Sequence, residues 1–231
     1  MLSRCDILVS RWHEAIRRYR EKMDLQRELS GELSPYRRLI VVTGMARSGT
    51  SVTAAFLGSH PEVKLVIGGG CWQVCETDLI RMEMGEPDWR SIDELLRDNY
   101  PKRILLKQPW VMNNWMFARA IRPAKIVVCL RERRSQIGGW QNRRDMVSER
   151  CQKEPDTVYN ECISHLPRLL SEGATWVHQD QMDAEMAQRV GRHLGLEPAG
   201  FDLSILGRRW KEAMEKDWLD KHTIRKERRR P

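Results

Sequence analysis

Short continuous apolar runs alternate along this chain with stretches of helical periodicity. Leu39-Ile-Val-Val42, Lys64-Leu-Val-Ile67, Ile104-Leu-Leu106, Lys125-Ile-Val-Val-Cys-Leu-Arg131 and Ala174-Thr-Trp-Val-His178 are too short for helices and little interrupted by polar residues, so they read as buried strands. Between them the apolar spacing predicts helices over 52–57, 74–84, 92–99, 112–121, from Arg131 to Trp140 and beyond, and over 154–171, 182–194 and 206–219. Gly195 is placed to end the helix before it. In 206–219, Trp210, Met214 and Trp218 recur at i, i+4, i+8, a face that reads as core. Residues 5–30 contain neither Gly nor Pro and set Ile7, Leu8, Trp12, Ile16, Tyr19 and Met23 on one face of an amphipathic helix ended by Gly31 and Pro35. The pattern leaves open whether this helix lies on the domain or on a partner chain. Strands alternating with helices imply a parallel sheet with right-handed crossovers, an α/β class.

The first of these strands leads into the most informative loop. Leu39 to Val42 runs into Gly44-Met-Ala-Arg-Ser-Gly-Thr-Ser51, and a helix follows. The frame Gly44-x4-Gly49-Thr50-Ser51 is that of a phosphate loop, whose backbone N–H groups meet an anion at a helix N-terminus. Thr50 stands where a nucleotidase carries its lysine, and the cation is inside the loop, at Arg47. The frame therefore suits a phosphate without a triphosphate chain behind it; the alternative is a glycine turn that only packs helix on sheet. Lys107 ends the third strand and Arg131 the fourth. Ligands of parallel sheets bind beyond the carboxyl ends of the strands, so the loop, Lys107 and Arg131 are expected on one rim. Trp72, Trp110, Trp115 and Trp140 lie near the same elements, either as stacking rings or as core.

Composition narrows the partners. The net charge of +8 is concentrated at the ends: residues 1–38 hold nine basic and six acidic residues, residues 221–230 hold six and one, and the rest hold 25 of each. A neutral body argues against a nucleic-acid surface across the fold. The tail from Lys221 to Pro231 reads as a solvated end, with contact to RNA or an anionic surface as the alternative. No apolar run nears the roughly 18 residues of a membrane span, and the N-terminus has no signal-peptide core, so a cytoplasmic protein is expected. The six cysteines, Cys71 and Cys75 among them, lack zinc spacing and read as reduced thiols. The expected division is a helical extension over 1–37, one α/β domain over 38–220 and a basic tail over 221–231.

On these residues the chain resembles the sulfotransferases that use 3′-phosphoadenosine 5′-phosphosulfate (PAPS). The resemblance covers roughly 39–198. Gly44-Met-Ala-Arg-Ser-Gly-Thr-Ser51 with His60-Pro-Glu-Val63 is similar to the 5′-phosphosulfate loop, in the Arg-Ser-Gly-Thr form of bacterial members. Leu105-Leu-Lys-Gln-Pro109 resembles the Lys-x-Pro strand, Lys125–Arg131 the strand of the 3′-phosphate arginine, and Trp176-Val-His-Gln-Asp180 with Val190-Gly-Arg-His-Leu-Gly-Leu196 the late strand and helix. The resemblance implies a three-layer sandwich with a parallel sheet, of the P-loop NTPase-like type. It implies that Arg47 meets the 5′-phosphosulfate within the loop of Gly44 and Ser48, that Gly49, Thr50 and Ser51 cradle the 5′-phosphate, that Arg131 pairs with the 3′-phosphate and that Lys107 lies near the sulfuryl group.

Two positions depart from the family. Gly139 occupies the place of the serine eight residues after the arginine, with Ser135 as a substitute, and Pro109 occupies the place of the histidine base. Glu76 is then the candidate base, and Gly207-Arg-Arg209 a stand-in for the late basic-glycine element. The implied reaction is in-line transfer of the sulfuryl group to a hydroxyl or amine of an acceptor the sequence does not identify, with no metal required. Two rivals stand beside it: a P-loop nucleotide kinase, disfavoured by Thr50, and a non-catalytic binding or assembly protein on the same fold, favoured by the missing histidine and Gly139.

Overall fold

Six strands form one open sheet in a computed structural model that describes residues 4–68, 89–113, 115–142, 147–206 and 223–226. They are β1 (Leu39–Gly44), β2 (Val63–Gly68), β3 (Arg103–Lys107), β4 (Lys125–Leu130), β5 (Thr175–His178) and β6 (Thr223–Lys226), in the order β5-β4-β1-β3-β2-β6, every neighbouring pair parallel. The described helices are α1 (Arg4–Leu29), α2 (Thr50–Gly58), α3 (Trp89–Asp98), α4 (Trp115–Ala120), α5 (Arg133–Asn142), α6 (Glu149–Lys153), α7 (Pro155–Ser164), α8 (Leu166–Ser171) and α9 (Ala184–Leu194).

The two-residue period of the strands divides the core. Ile40, Val42, Leu105, Val127, Cys129 and Val177 face Ala54, Phe56 and Leu57 of α2 and Met186, Val190 and Leu194 of α9. Leu39, Val41, Ile104, Leu106, Ile126 and Val128 face the other way, onto Ile92 and Leu96 of α3, Trp140 of α5, Cys162 of α7 and Leu169 of α8. The result is an α/β sandwich of three layers. Each fully buried aliphatic side chain contributes roughly 1.5–3 kcal/mol, and a one-residue slip of β1 would exchange both of its faces at once, which fixes the register of the central strand.

The sheet order sorts the connections. Those moving one way across the sheet, β1 to β2 and β5 to β6, carry α2 and α9 on the first face. Those moving the other way, β2 to β3, β3 to β4 and β4 to β5, carry α3, α4, α5, α7 and α8 on the second. A single hand of crossover requires this separation.

Several elements differ from the sequence expectation. The helix expected over 112–121 begins as a 3-10 turn at Pro109–Asn113, with α4 following only from Trp115. The long helix expected over 154–171 is two, because Pro167 sits in the first turn of α8, where its missing N–H costs nothing, whereas in a helix interior it would break the ladder. Part of the tail read as solvated, residues 223–226, is the edge strand β6 on β2; its charge masked the short Thr-Ile stretch that pairs. The segments 74–84 and 207–219, with Glu76, Trp72, the Gly207-Arg-Arg209 element, Cys71 and Cys75, lie outside the described residues.

The later half of α1 lies on the domain. Arg38, 6% exposed, is paired with Glu28 at 2.8 Å and donates to the carbonyls of Leu96 at 2.7 Å and Lys102 at 3.1 Å. The Tyr100 hydroxyl donates to the carbonyl of Glu21. Tyr19 and Met23, expected on the apolar face, are 65% and 40% exposed.

Candidate functional site

β1 ends at the middle of the sheet, and the loop that leaves it is built by three unusual backbone conformations. Gly44 has φ +150°, Arg47 φ 72° and Gly49 φ 89°. A side chain at Gly44 would put its Cβ 2.5 Å from the carbonyl oxygen of Cys129 on β4 and 2.6 Å from Ser48 Oγ, so only glycine lets the loop turn this close to the neighbouring strand. Arg47 holds a left-handed conformation that costs a residue with a Cβ about 1–2 kcal/mol. Successive amides in such turns form a concavity suited to an anion. Ser48 N–H closes the turn on the Met45 carbonyl at 3.0 Å, and Thr53 N–H opens α2 on the Gly49 carbonyl at 3.0 Å. Gly49 offers α2 no capping side chain, so the amides of its first turn keep the exposed partial charge of a helix N-terminus.

The sheet order places this loop at a switch point. The connection from β1 runs towards β2 and that from the adjacent β4 runs towards β5, and open parallel sheets take their ligands at the carboxyl ends of strands at such a point. Lys107 is in register with Val42 of β1 and donates from Nζ to Ser51 Oγ in the first turn of α2 at 3.0 Å. Arg131, just past the end of β4, donates from Nη1 to the Arg47 carbonyl at 3.3 Å. The loop, Lys107 and Arg131 thus do share one rim, as the strand ends predict, with Arg131 on the middle of the loop and Lys107 on the first turn of the helix it opens. A Cβ at Gly139 of α5 would stand 3.4 Å from Arg131 Nη1 and 3.5 Å from Arg47 Cβ. Gly139 therefore lies beside both arginines.

Buried polar atoms without a protein partner gather here. Ser48 Oγ, Arg131 Nε and Gln179 Oε1 are all of this kind. Burial without a partner is costly, and their grouping round one loop marks it as a place where a polar ligand would be accepted. Gln179, in the turn after β5, lies against Gly49, where a Cβ would be 3.0 Å from Gln179 Cγ. Trp140, read from sequence as a ring near the rim, is 1% exposed and donates from Nε1 to the Ala46 carbonyl at 2.7 Å; Gln136 donates to the same oxygen.

Two groups are spoken for. The Glu132 carboxylate accepts the N–H groups of Arg134 at 2.8 Å and Ser135 at 2.7 Å, which together hold its pKa below the usual carboxylate range. Ser135 contacts Glu132 through its backbone N–H, and its side chain adds to the lowering. The Cys129 thiol, fully buried behind the loop, is pushed up to about 12 by desolvation and is no nucleophile at neutral pH. Gln136 and Gln179 went unnoticed in the sequence. Gln136 carries a signal in its i, i+4 spacing to Trp140 on one face of α5; Gln179 carries none beyond its place at a strand end.

The chain matches no protein-family model and no curated protein.

Proposed function

We propose that the rim binds an adenosine nucleotide bearing separate 5′ and 3′ anions, and that the protein is a PAPS-dependent sulfotransferase on a P-loop NTPase-like sandwich. One observation carries the reading: two cationic groups from separate strands are hydrogen-bonded to one glycine loop and its helix, Arg131 to the carbonyl of Arg47 within the loop and Lys107 to Ser51 in the first turn of α2. A donor with two anionic ends needs two anion sites. The loop amides with Arg47 supply the first; Arg131, whose planar fork suits phosphate oxygens and whose Nε has no protein partner, supplies the second. Ser48 Oγ offers a further unused group within the loop. Thr50 at the lysine position tells against a triphosphate ligand.

In the reaction this reading assigns, an acceptor oxygen or nitrogen forms its bond to sulfur as the bond to the bridging phosphate oxygen breaks. Negative charge grows on that oxygen, and the acceptor's proton leaves to a base. Lys107, beside the first turn of α2, is the cation for the developing charge. With Pro109 where the histidine would be, the base is assigned to Glu76 by analogy with members that use a glutamate.

The missing histidine also favours a second reading, a protein of this fold that binds the nucleotide without transferring from it. Incubation with sulfur-labelled PAPS and a panel of hydroxyl and amine acceptors separates the two. Label in an acceptor, lost in Lys107→Met, is the expected result. Tight nucleotide binding with no labelled product favours the second reading, and no binding rejects both.

A further inference from the structure

The carbonyl of Ala46 is gripped by two buried donors. Trp140 Nε1 donates to it at 2.7 Å, Gln136 Nε2 donates to it as well, and the two residues lie one turn apart on α5 with exposures of 1% and 0%. Across a trans peptide the C=O and the following N–H point in opposite directions. Holding the Ala46 oxygen against α5, on the second face of the sheet, aims the Arg47 N–H away from α5, toward the side on which α2 begins. The next carbonyl, of Arg47, is held by Arg131, and the left-handed φ of Arg47 joins the two fixed peptides.

Gln136 serves this purpose at a cost. Its Oε1 is buried with no partner, a penalty that an apolar side chain of the same length would avoid. Retaining a glutamine for its donor alone makes sense where the Ala46 oxygen must not rotate. If that peptide turned over, a carbonyl oxygen would replace an N–H at the anion seat and repel the ligand.

We propose that Gln136 and Trp140 are positioning residues that lock the 46–47 peptide so that the Arg47 amide faces the bound anion. The inference rests on the sulfotransferase reading for the identity of that anion, but the lock itself can be measured without it. Gln136→Met keeps the length and removes the donor; Trp140→Phe keeps most of the ring and removes the N–H. Two quantities are read in each full-length variant: affinity for adenosine 3′,5′-bisphosphate by calorimetry, and deuterium uptake of the segment 44–51. The expected result is affinity lower by about tenfold or more, the scale of a lost charge-assisted contact, with faster uptake confined to that segment and a melting temperature for Gln136→Met at or above wild type. Affinity and uptake indistinguishable from wild type in both variants overturn the proposal. If the wild-type protein itself does not bind the bisphosphate, the sulfotransferase reading falls, and unchanged uptake at 44–51 in both variants then overturns the lock on its own.

Discussion

At the residue scale, the proposed function gives the three cations of the rim different tasks. Arg131→Ala removes the group that bridges the end of β4 and the loop, and Arg47→Ala removes the charge within it. Each should weaken adenosine 3′,5′-bisphosphate binding by about tenfold or more, measured by calorimetry. Lys107→Met should behave otherwise. Its Nζ contacts Ser51 of the loop's helix, and its assigned role is to meet charge that appears only during transfer. The expected outcome is a fall in kcat on the order of a hundredfold with a much smaller change in bisphosphate affinity. These residues were legible because strand ends and a glycine frame are local signals. Gln136, Trp140 as a donor, and Gln179 were not, because each acts on a partner distant in the chain: Ala46 for the first two and Gly49 for the third. No local pattern encodes such a pair, and the burial of Trp140 follows from how α5 packs rather than from its own sequence.

At the element scale, the loop's glycines rank differently. At Gly44 a Cβ meets the backbone of β4, which cannot move without disturbing the sheet; at Gly49 it meets the flexible side chain of Gln179. Gly44→Ala should therefore cost about 3 kcal/mol or more, and Gly49→Ala about 1–2 kcal/mol for its left-handed backbone, read from urea denaturation midpoints at constant m-value. Equal costs would mean that β4 does not crowd the loop. One element boundary was legible because its cap is strong: Gly195, left-handed with φ 65°, ends α9; the start, expected at Met182, falls instead at Ala184 after the Asp183 cap, whose carboxylate accepts Met186 N–H at 2.9 Å. Others failed where apolar spacing continued through a proline, as between α7 and α8, and where a charged tail concealed a four-residue strand.

At the scale of the whole molecule, the sheet order could not be read from the chain. Periodicity gave parallel strands, yet the position of β1 between β4 and β3, which creates the switch point, emerges only from which strands pair. Stability at this scale should also depend on pH. His60 is 2% exposed; its Nδ1 accepts the Glu62 N–H at 3.2 Å and its Nε2 donates to the Glu197 carbonyl at 3.1 Å, an arrangement of the neutral ring. Burial holds the imidazoles of both His60 and His193 below their ordinary value of 6.5. Below about pH 6.5 the unfolded chain therefore binds protons that the folded protein refuses, so stability is intact above that pH and falls as the pH drops through the lowered folded values. The melting temperature should decline from pH 7.5 to pH 5.5, by about 2–4 °C for each kcal/mol lost, and His60→Gln should flatten the slope; a rise on acidification would contradict the burial of these rings. The central claim is that one rim holds both anionic ends of an adenosine nucleotide. Calorimetric titration with adenosine 3′,5′-bisphosphate, beside ATP with magnesium, tests it most directly. Binding of the bisphosphate at least tenfold tighter than ATP, and lost in the Arg47→Ala, Arg131→Ala double variant, is the predicted result; equal affinity for the two nucleotides, or bisphosphate binding that survives loss of both arginines, would contradict it.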